Sequence, residues 1–290
     1  MIFHGPANND FKQWKLYATR LLRVRRNCLL IFGLFFSALA HAEPQERYGA
    51  DMFGAYKFYL RPEYFVWKEY MDSAAPALLT ETGARIRVGL FTSSAQWMRA
   101  GSPLNWNFDL SGYMGVVDYN GQLFDGTPFQ TSTNYKGITA NLGTGTRLWD
   151  NSKFSSTLVV GALLDFWTRE LVANAGYVEE YVVATLRGGI KIVPTIKMRP
   201  AIEFGVRYPM YTQESVAKFN IVLTPTPLMG FYGKLDLTNI VRFKQRTVSA
   251  ALTYDLIRFD ASPKVYSNVY PQPLFQPIST MRLVGLQIGF

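Results

Sequence analysis

The chain has 290 residues, a formal net charge of +9 and 15% aromatic residues. Its one cysteine, Cys28, and both histidines, His4 and His41, lie ahead of residue 43. Everything after them is therefore without a disulfide, a thiolate metal site or an imidazole base.

The amino end reads as an export signal. Lys12, Lys15, Arg20, Arg23, Arg25 and Arg26 form a long basic region, and Cys28 to Leu39 is apolar or small apart from Ser37. Ala40-His41-Ala42 then offers small residues for cleavage, so residues 1–42 are expected to be removed, with the cut near Ala42. The apolar run is shorter than the ~20 residues a membrane helix needs. Beyond residue 42 there remain 24 basic and 20 acidic residues, a net +4. Most of the headline charge belongs to the signal, and nucleic acid is not an expected partner.

Residues 43–55 form a short segment ahead of the first strand. From Tyr56 on, period-2 segments recur between Gly, Pro, Asn, Asp and Ser. Tyr56 to Tyr70 sets Phe58, Leu60, Tyr64 and Val66 against Lys57, Arg61 and Glu63. Ala84–Thr92, Leu104–Val117, Ile138–Trp149, Leu158–Arg169, Val182–Ile192 and Met198–Tyr208 repeat the pattern. Phe219–Leu223, Phe231–Leu237, Val248–Leu256, a weaker Lys264–Tyr270 and Met281–Phe290 bring the count to twelve. The alternative is ten. One uniformly apolar face opposite lone charges, with aromatics near strand ends, is the pattern of a barrel wall that meets lipid. The aromatics read as girdles are Trp67, Tyr70, Tyr113, Tyr119, Trp149, Trp167, Tyr181, Tyr208, Tyr211, Tyr254, Tyr266 and Tyr270.

The last seven residues carry a resemblance. Val284, Leu286, Ile288 and Phe290 share one face, and Gly285, Gln287 and Gly289 the other. This ending resembles the closing strand of bacterial outer-membrane β-barrel proteins, and the chain is similar to uncharacterised proteobacterial barrels and to small monomeric porin-like channels. The resemblance implies an all-β, single antiparallel up-and-down barrel over residues 56–290, located in the outer membrane of a Gram-negative cell. It implies Phe290, with Ile288 and Leu286, as an assembly signal read by the barrel-insertion machinery. Outer-membrane lipids and lipopolysaccharide are the implied surroundings. Barrel enzymes of this class use histidine, and residues 43–290 have none, so no enzyme, metal or cofactor is expected. Glu179-Glu180 point to opposite faces of a strand and read as a solvated loop end. Asp118-Tyr119-Asn120-Gly121 through Asp125-Gly126 reads as turn chemistry rather than a calcium loop.

Two functions follow from the faces. Taking the charged face as the lumen gives twelve basic residues: Lys57, Arg61, Arg85, Arg87, Arg147, Arg169, Arg187, Lys191, Lys197, Arg199, Arg207 and Lys234. Six acids oppose them: Glu63, Asp109, Asp165, Glu203, Asp236 and Asp255. That excess predicts a narrow channel for small anionic solutes, with Arg85, Arg87, Arg187, Lys191, Arg199 and Arg207 setting selectivity. The alternative is a closed structural or interaction barrel. Its outer loops, Val117–Tyr135 and the proline-rich Tyr270–Pro277, would bind an envelope partner or surface polysaccharide.

Overall fold

The computed structural model describes residues 56–93, 104–122, 126–173, 176–194, 200–243 and 246–290. The expected export signal, the segment 43–55, Lys197 and Arg199 lie outside the described residues. β1 is Tyr56–Tyr70, β2 Leu79–Ser93, β3 Leu104–Gln122, β4 Pro128–Asp150, β5 Phe154–Val172 and β6 Val178–Pro194. β7 is Ala201–Val216, β8 the short Ile221–Leu223, β9 Thr226–Phe243, β10 Arg246–Asp260 and β11 Ile278–Gly289.

Every neighbouring pair is antiparallel. β1 to β7 pair in order, β9 follows β7, β10 and β11 follow β9, and β11 returns to β1. Ten strands thus close a barrel with no free edge, which is how a sheet can stand in lipid with its backbone satisfied. Phe290 finishes the seam by exchanging two backbone hydrogen bonds with Phe58, at 3.0 and 3.2 Å. An even strand number puts Tyr56 and Phe290 at one end, called the near end here, and the loops 71–78, 217–225 and 261–277 at the far end.

Ten is the alternative count, not the twelve taken first. Phe219–Leu223 does not cross the barrel. A 3-10 turn covers Ala217–Phe219, and β8 pairs only with the top of β7. Lys264–Tyr270 is loop with one isolated bridge, Val265 to Leu274. Both stretches look strand-like because their apolar residues pack on one another above the barrel. Val216, Ile221 and Leu223 are buried there, with Tyr177, Phe219, Val265 and Leu274 against them.

The period-2 pattern decides inside from outside. Phe58, Leu60, Tyr64, Ile86, Val88, Leu110, Met114, Val116, Ile138, Val160, Leu186, Phe204, Phe231, Leu252, Val284, Leu286, Ile288 and Phe290 are exposed on the outer wall. This apolar belt stops at one level. Above it, toward the far end, most outward positions are polar, among them Lys68, Thr82, Asp118, Asn134, Thr168, Glu180, Arg258 and Arg282, with Val172 and Val178 as apolar exceptions. The strands therefore continue past the belt as a tube with polar walls. The membrane-spanning part of each strand is the belt portion alone.

That extension corrects the reading of Val117–Tyr135 as a long polar loop. Nearly all of it belongs to β3 and β4, which pair as far as Gln122 and Pro128. Its outward residues are polar because they stand above the belt. It also corrects five of the girdle aromatics. Trp67, Tyr113, Tyr119, Trp167 and Tyr181 are buried inside the barrel, on the same parity as Glu63 and Arg85. Trp149, Tyr208, Tyr211 and Tyr254 do face outward.

Inward glycines make room for those large side chains. A Cβ at Gly137 would lie 2.5 Å from the Tyr113 ring, and one at Gly230 would overlap the Leu256 carbonyl oxygen. Gly230 sits beside the register shift between Leu256 and Arg258, where the β10 backbone comes closest. Gly230→Ala is expected to destabilise the folded barrel by about 1–3 kcal/mol through this overlap, read as a lower urea midpoint of the micelle-bound protein.

Candidate functional site: the lumen

Three groups of inward side chains stack along the barrel axis. Nearest the terminal end, Tyr59 donates to Asp109 at 3.0 Å, Arg207 pairs with Asp255 at 2.8 Å, and Lys234 pairs with Asp236 at 3.1 Å. Arg187 lies directly opposite Arg207 across the β6–β7 pair and stacks over Tyr232 at 5.5 Å. Lys191 lies opposite Glu203. Water reaches this level: the side chains of Lys234 and Asp255 are 32% and 27% exposed.

The middle group is built on Glu63. Its Oε1 accepts from Arg61 Nε at 2.9 Å and Arg87 Nε at 2.6 Å, and its Oε2 from Arg85 Nη2 at 2.8 Å. Arg87 Nη1 also donates to Ser111 and Thr139 at 3.0 and 2.9 Å. Thr139 and Tyr113 donate in turn to Asp165 at 2.9 and 3.2 Å. The Arg85 and Arg87 guanidinium groups both lie 4.4 Å from the Tyr113 ring centre, which adds a cation–π contact to each. Alternation on three adjacent strands produces this: Glu63 is opposite Arg85, Arg61 is opposite Arg87, and Arg87 is opposite Tyr113.

The far group stands above the belt and is centred on Arg169. Its guanidinium meets Glu81 at 2.8 Å, Glu179 at 2.6 Å and Glu69 at 3.8 Å. Glu81 also accepts from Thr133 at 2.8 Å and from the Tyr135 hydroxyl. Glu69 accepts from Trp67 Nε1 at 2.9 Å and from Gln276 Nε2 at 3.0 Å. Tyr181 donates to Glu179 at 2.9 Å and stacks on Trp167 with ring centres 4.7 Å apart. Glu214 stands opposite Tyr181 on β7. Glu81 is 0% exposed and Glu214 1%. Phe65, Trp67, Val117, Tyr119, Tyr135, Trp167, Tyr181 and Phe259 fill the space between, as they would in the core of a soluble protein.

Gln276 comes from the long loop 261–277, which is pinned across the mouth. The Ser262 amide donates to the Gln276 carbonyl at 2.9 Å, Ser262 Oγ accepts from the Gln276 amide at 2.9 Å, and Val265 and Leu274 pair in both directions. Phe219 and Tyr270 lie 5.8 Å apart between the two far loops.

Of the expected selectivity residues, Arg85 and Arg87 are joined on Glu63 and Arg207 is paired with Asp255. Arg187 and Lys191 face the hydrated near end without an ion pair among the described residues. The charge excess that motivated the anionic reading does not hold among the described residues. Glu69, Glu81, Glu179 and Glu214 all point inward and were missing from it. They raise the six inward acids to ten. Arg147 meanwhile leaves the lumen and pairs with Asp150 at the rim. Glu179 is not a solvated loop end: it is buried inward, while Glu180 faces out.

No protein-family model matches the chain, and no curated protein matches it. Solved structures with similar folds include the outer membrane protease OmpT from Escherichia coli, at 8% identity and TM-score 0.42, covering 81% of this chain and 96% of that one. They include the translocator domain of the autotransporter NalP from Neisseria meningitidis, at 10% identity and TM-score 0.35, covering 94% and 99%. The COG4313 outer membrane channel from Pseudomonas putida F1 follows at 8% identity and TM-score 0.36, covering 86% and 100%. Similarity at this level assigns neither a family nor an activity.

Proposed function

We propose that this chain is an outer-membrane barrel with a water-filled vestibule on the periplasmic side and a passage shut on the outside by its own side chains. The near end faces the periplasm and the tube above the belt faces out. The apolar outer wall supports the membrane setting, because lipid accepts such a band and water does not. The contrast in exposure along the lumen carries the rest. Inward side chains at the near end are partly hydrated, whereas those around Arg169 are buried as completely as a protein core. An always-open pore would show hydrated side chains throughout its length. The side chains around Glu63 are buried as well, so small solutes cross only when the far group separates and the ion-paired side chains of the middle group swing aside. With ten inward acids among the described residues, the interior carries no built-in preference for anions. Arg187 and Lys191 bear on solutes at the vestibule only.

The test is planar-bilayer conductance of refolded protein at neutral pH. Wild type is expected to be silent, and a Trp67→Ala/Tyr181→Ala variant, which removes two plug rings without touching a charge, to conduct steadily. A folded variant that stays silent would overturn the passage. A closed barrel acting through its rim would then take its place. That second reading draws on Met71, Tyr266 and Val269, which lie exposed on the far loops.

A further inference from the structure

The far group holds more acid than base. Four carboxylates, Glu69, Glu81, Glu179 and Glu214, share a buried space on β1, β2, β6 and β7, and Arg169 on β5 is the cation that pairs with the first three. Buried charge must be paired or neutralised. One guanidinium balances one carboxylate, so the remainder must be balanced otherwise. No three acids among the described residues are placed to hold a metal ion. The other groups facing the acids are Tyr119 on β3, Tyr135 on β4, Tyr177 before β6, Tyr181 on β6 and Gln276 from the loop ahead of β11. None of these supplies a cation.

Glu214 gives an independent sign. Its Oε2 is buried with no hydrogen-bond partner. An ionised oxygen would be very costly there, and a protonated one is not. The groups concerned stand above the belt, outside the membrane-spanning part of the strands. Burial, foremost, pushes the Glu69 carboxyl up to about 7 against the pull of Arg169. Burial, then the neighbouring Glu179 and Glu69, pushes Glu214 well above the ordinary carboxylate range.

We infer that the plug is latched by protons held on Glu69 and Glu214, so that the passage closes in acid and opens as the pH rises. The inference rests on the passage reading above and names what regulates it. The closed state binds more protons than a state in which water solvates the same acids. Linkage then fixes the sign: opening rises with pH, from above the ordinary carboxylate value of 4.5 and past about 7. Each proton released contributes about a tenfold shift in the open-to-closed ratio per pH unit. Once open, a mouth lined by four carboxylates favours cations.

The experiment records wild-type open probability in planar bilayers from about pH 5 to about pH 9, a range that brackets the carboxylate and shifted values. Acrylamide quenching of tryptophan emission is followed in parallel on the micelle-bound protein. The expected result is a steep rise in both with pH, and cation selectivity in the alkaline open state. Glu69→Gln/Glu214→Gln is expected to remain shut across the range, because amides at these two positions cannot lose a proton. A rise that persists unchanged in the double variant overturns the latch. A wild type that stays silent and unquenched at all pH values, beside a conducting Trp67→Ala/Tyr181→Ala variant, overturns the latch and leaves the passage standing.

Discussion

Glu63→Ala is expected to cost the barrel about 3–5 kcal/mol, the range for removing one partner of a buried ion pair. The effect should sit at the top of that range, because one carboxylate serves three guanidinium groups. Arg61, Arg85 and Arg87 all bond it within 2.9 Å, and its own side chain is only 2% exposed. Removing it leaves three neighbouring cations inside the belt, with Asp165 as the nearest remaining acid through Thr139. The cation–π contacts with Phe65 and Tyr113 hold the guanidinium groups in place but supply no charge. Urea unfolding of the micelle-bound protein, read by the shift in gel mobility on heating, gives the number. A Glu63→Ala barrel of wild-type stability would show that water enters the middle of the lumen and solvates the arginines. The Glu63→Asp variant separates charge from reach: it keeps the carboxylate but shortens it by one methylene, and should lose less.

Much of this arrangement was legible in the sequence. Alternation from Phe58 to Val66 and from Ala84 to Leu90 already places Glu63, Arg85 and Arg87 on one face, and the barrel brings that face inside. The same parity puts Trp67 inside, although its place near a strand end is that of a girdle residue. Glu214 was harder. The alternation runs through Pro209 and breaks at Met210 and Tyr211, which both face out, and the register shift between Ala184 and Thr185 absorbs the extra residue on β7. Inward positions change from odd to even there, so Thr212 and Glu214 point in where a regular strand would point them out. Sequence pattern alone carries no mark of that slip. The tube above the belt hides for a different reason. Once strands leave lipid, their outward residues turn polar, and β3 and β4 then resemble a loop although their pairing continues to Gln122 and Pro128. Four of the inward acids, Glu69, Glu81, Glu179 and Glu214, lie in that part, which is why a charge count without them is too basic.

Arg169→Met is the other large effect, and it differs in kind. The substitution leaves Glu69, Glu81, Glu179 and Glu214 around a neutral side chain of similar length. At neutral pH the acids must take up protons or draw in water. The loss of stability is again about 3–5 kcal/mol if the plug stays closed. It is confined to the far end, because the Glu63 group and the belt pairing do not depend on Arg169. The expected result is therefore a barrel that still folds, with a far mouth that opens at neutral pH. It should show conductance where wild type is silent and acrylamide quenching of Trp67 and Trp167. Acid should reverse it: as the carboxylates protonate, the packing of Trp67, Tyr135, Trp167 and Tyr181 can close without a cation, and conductance should fall. A variant that instead loses the whole barrel would mean that Arg169 joins β2, β5 and β6 during folding rather than latching a finished tube. One that stays shut at every pH would mean that ring packing alone closes the mouth.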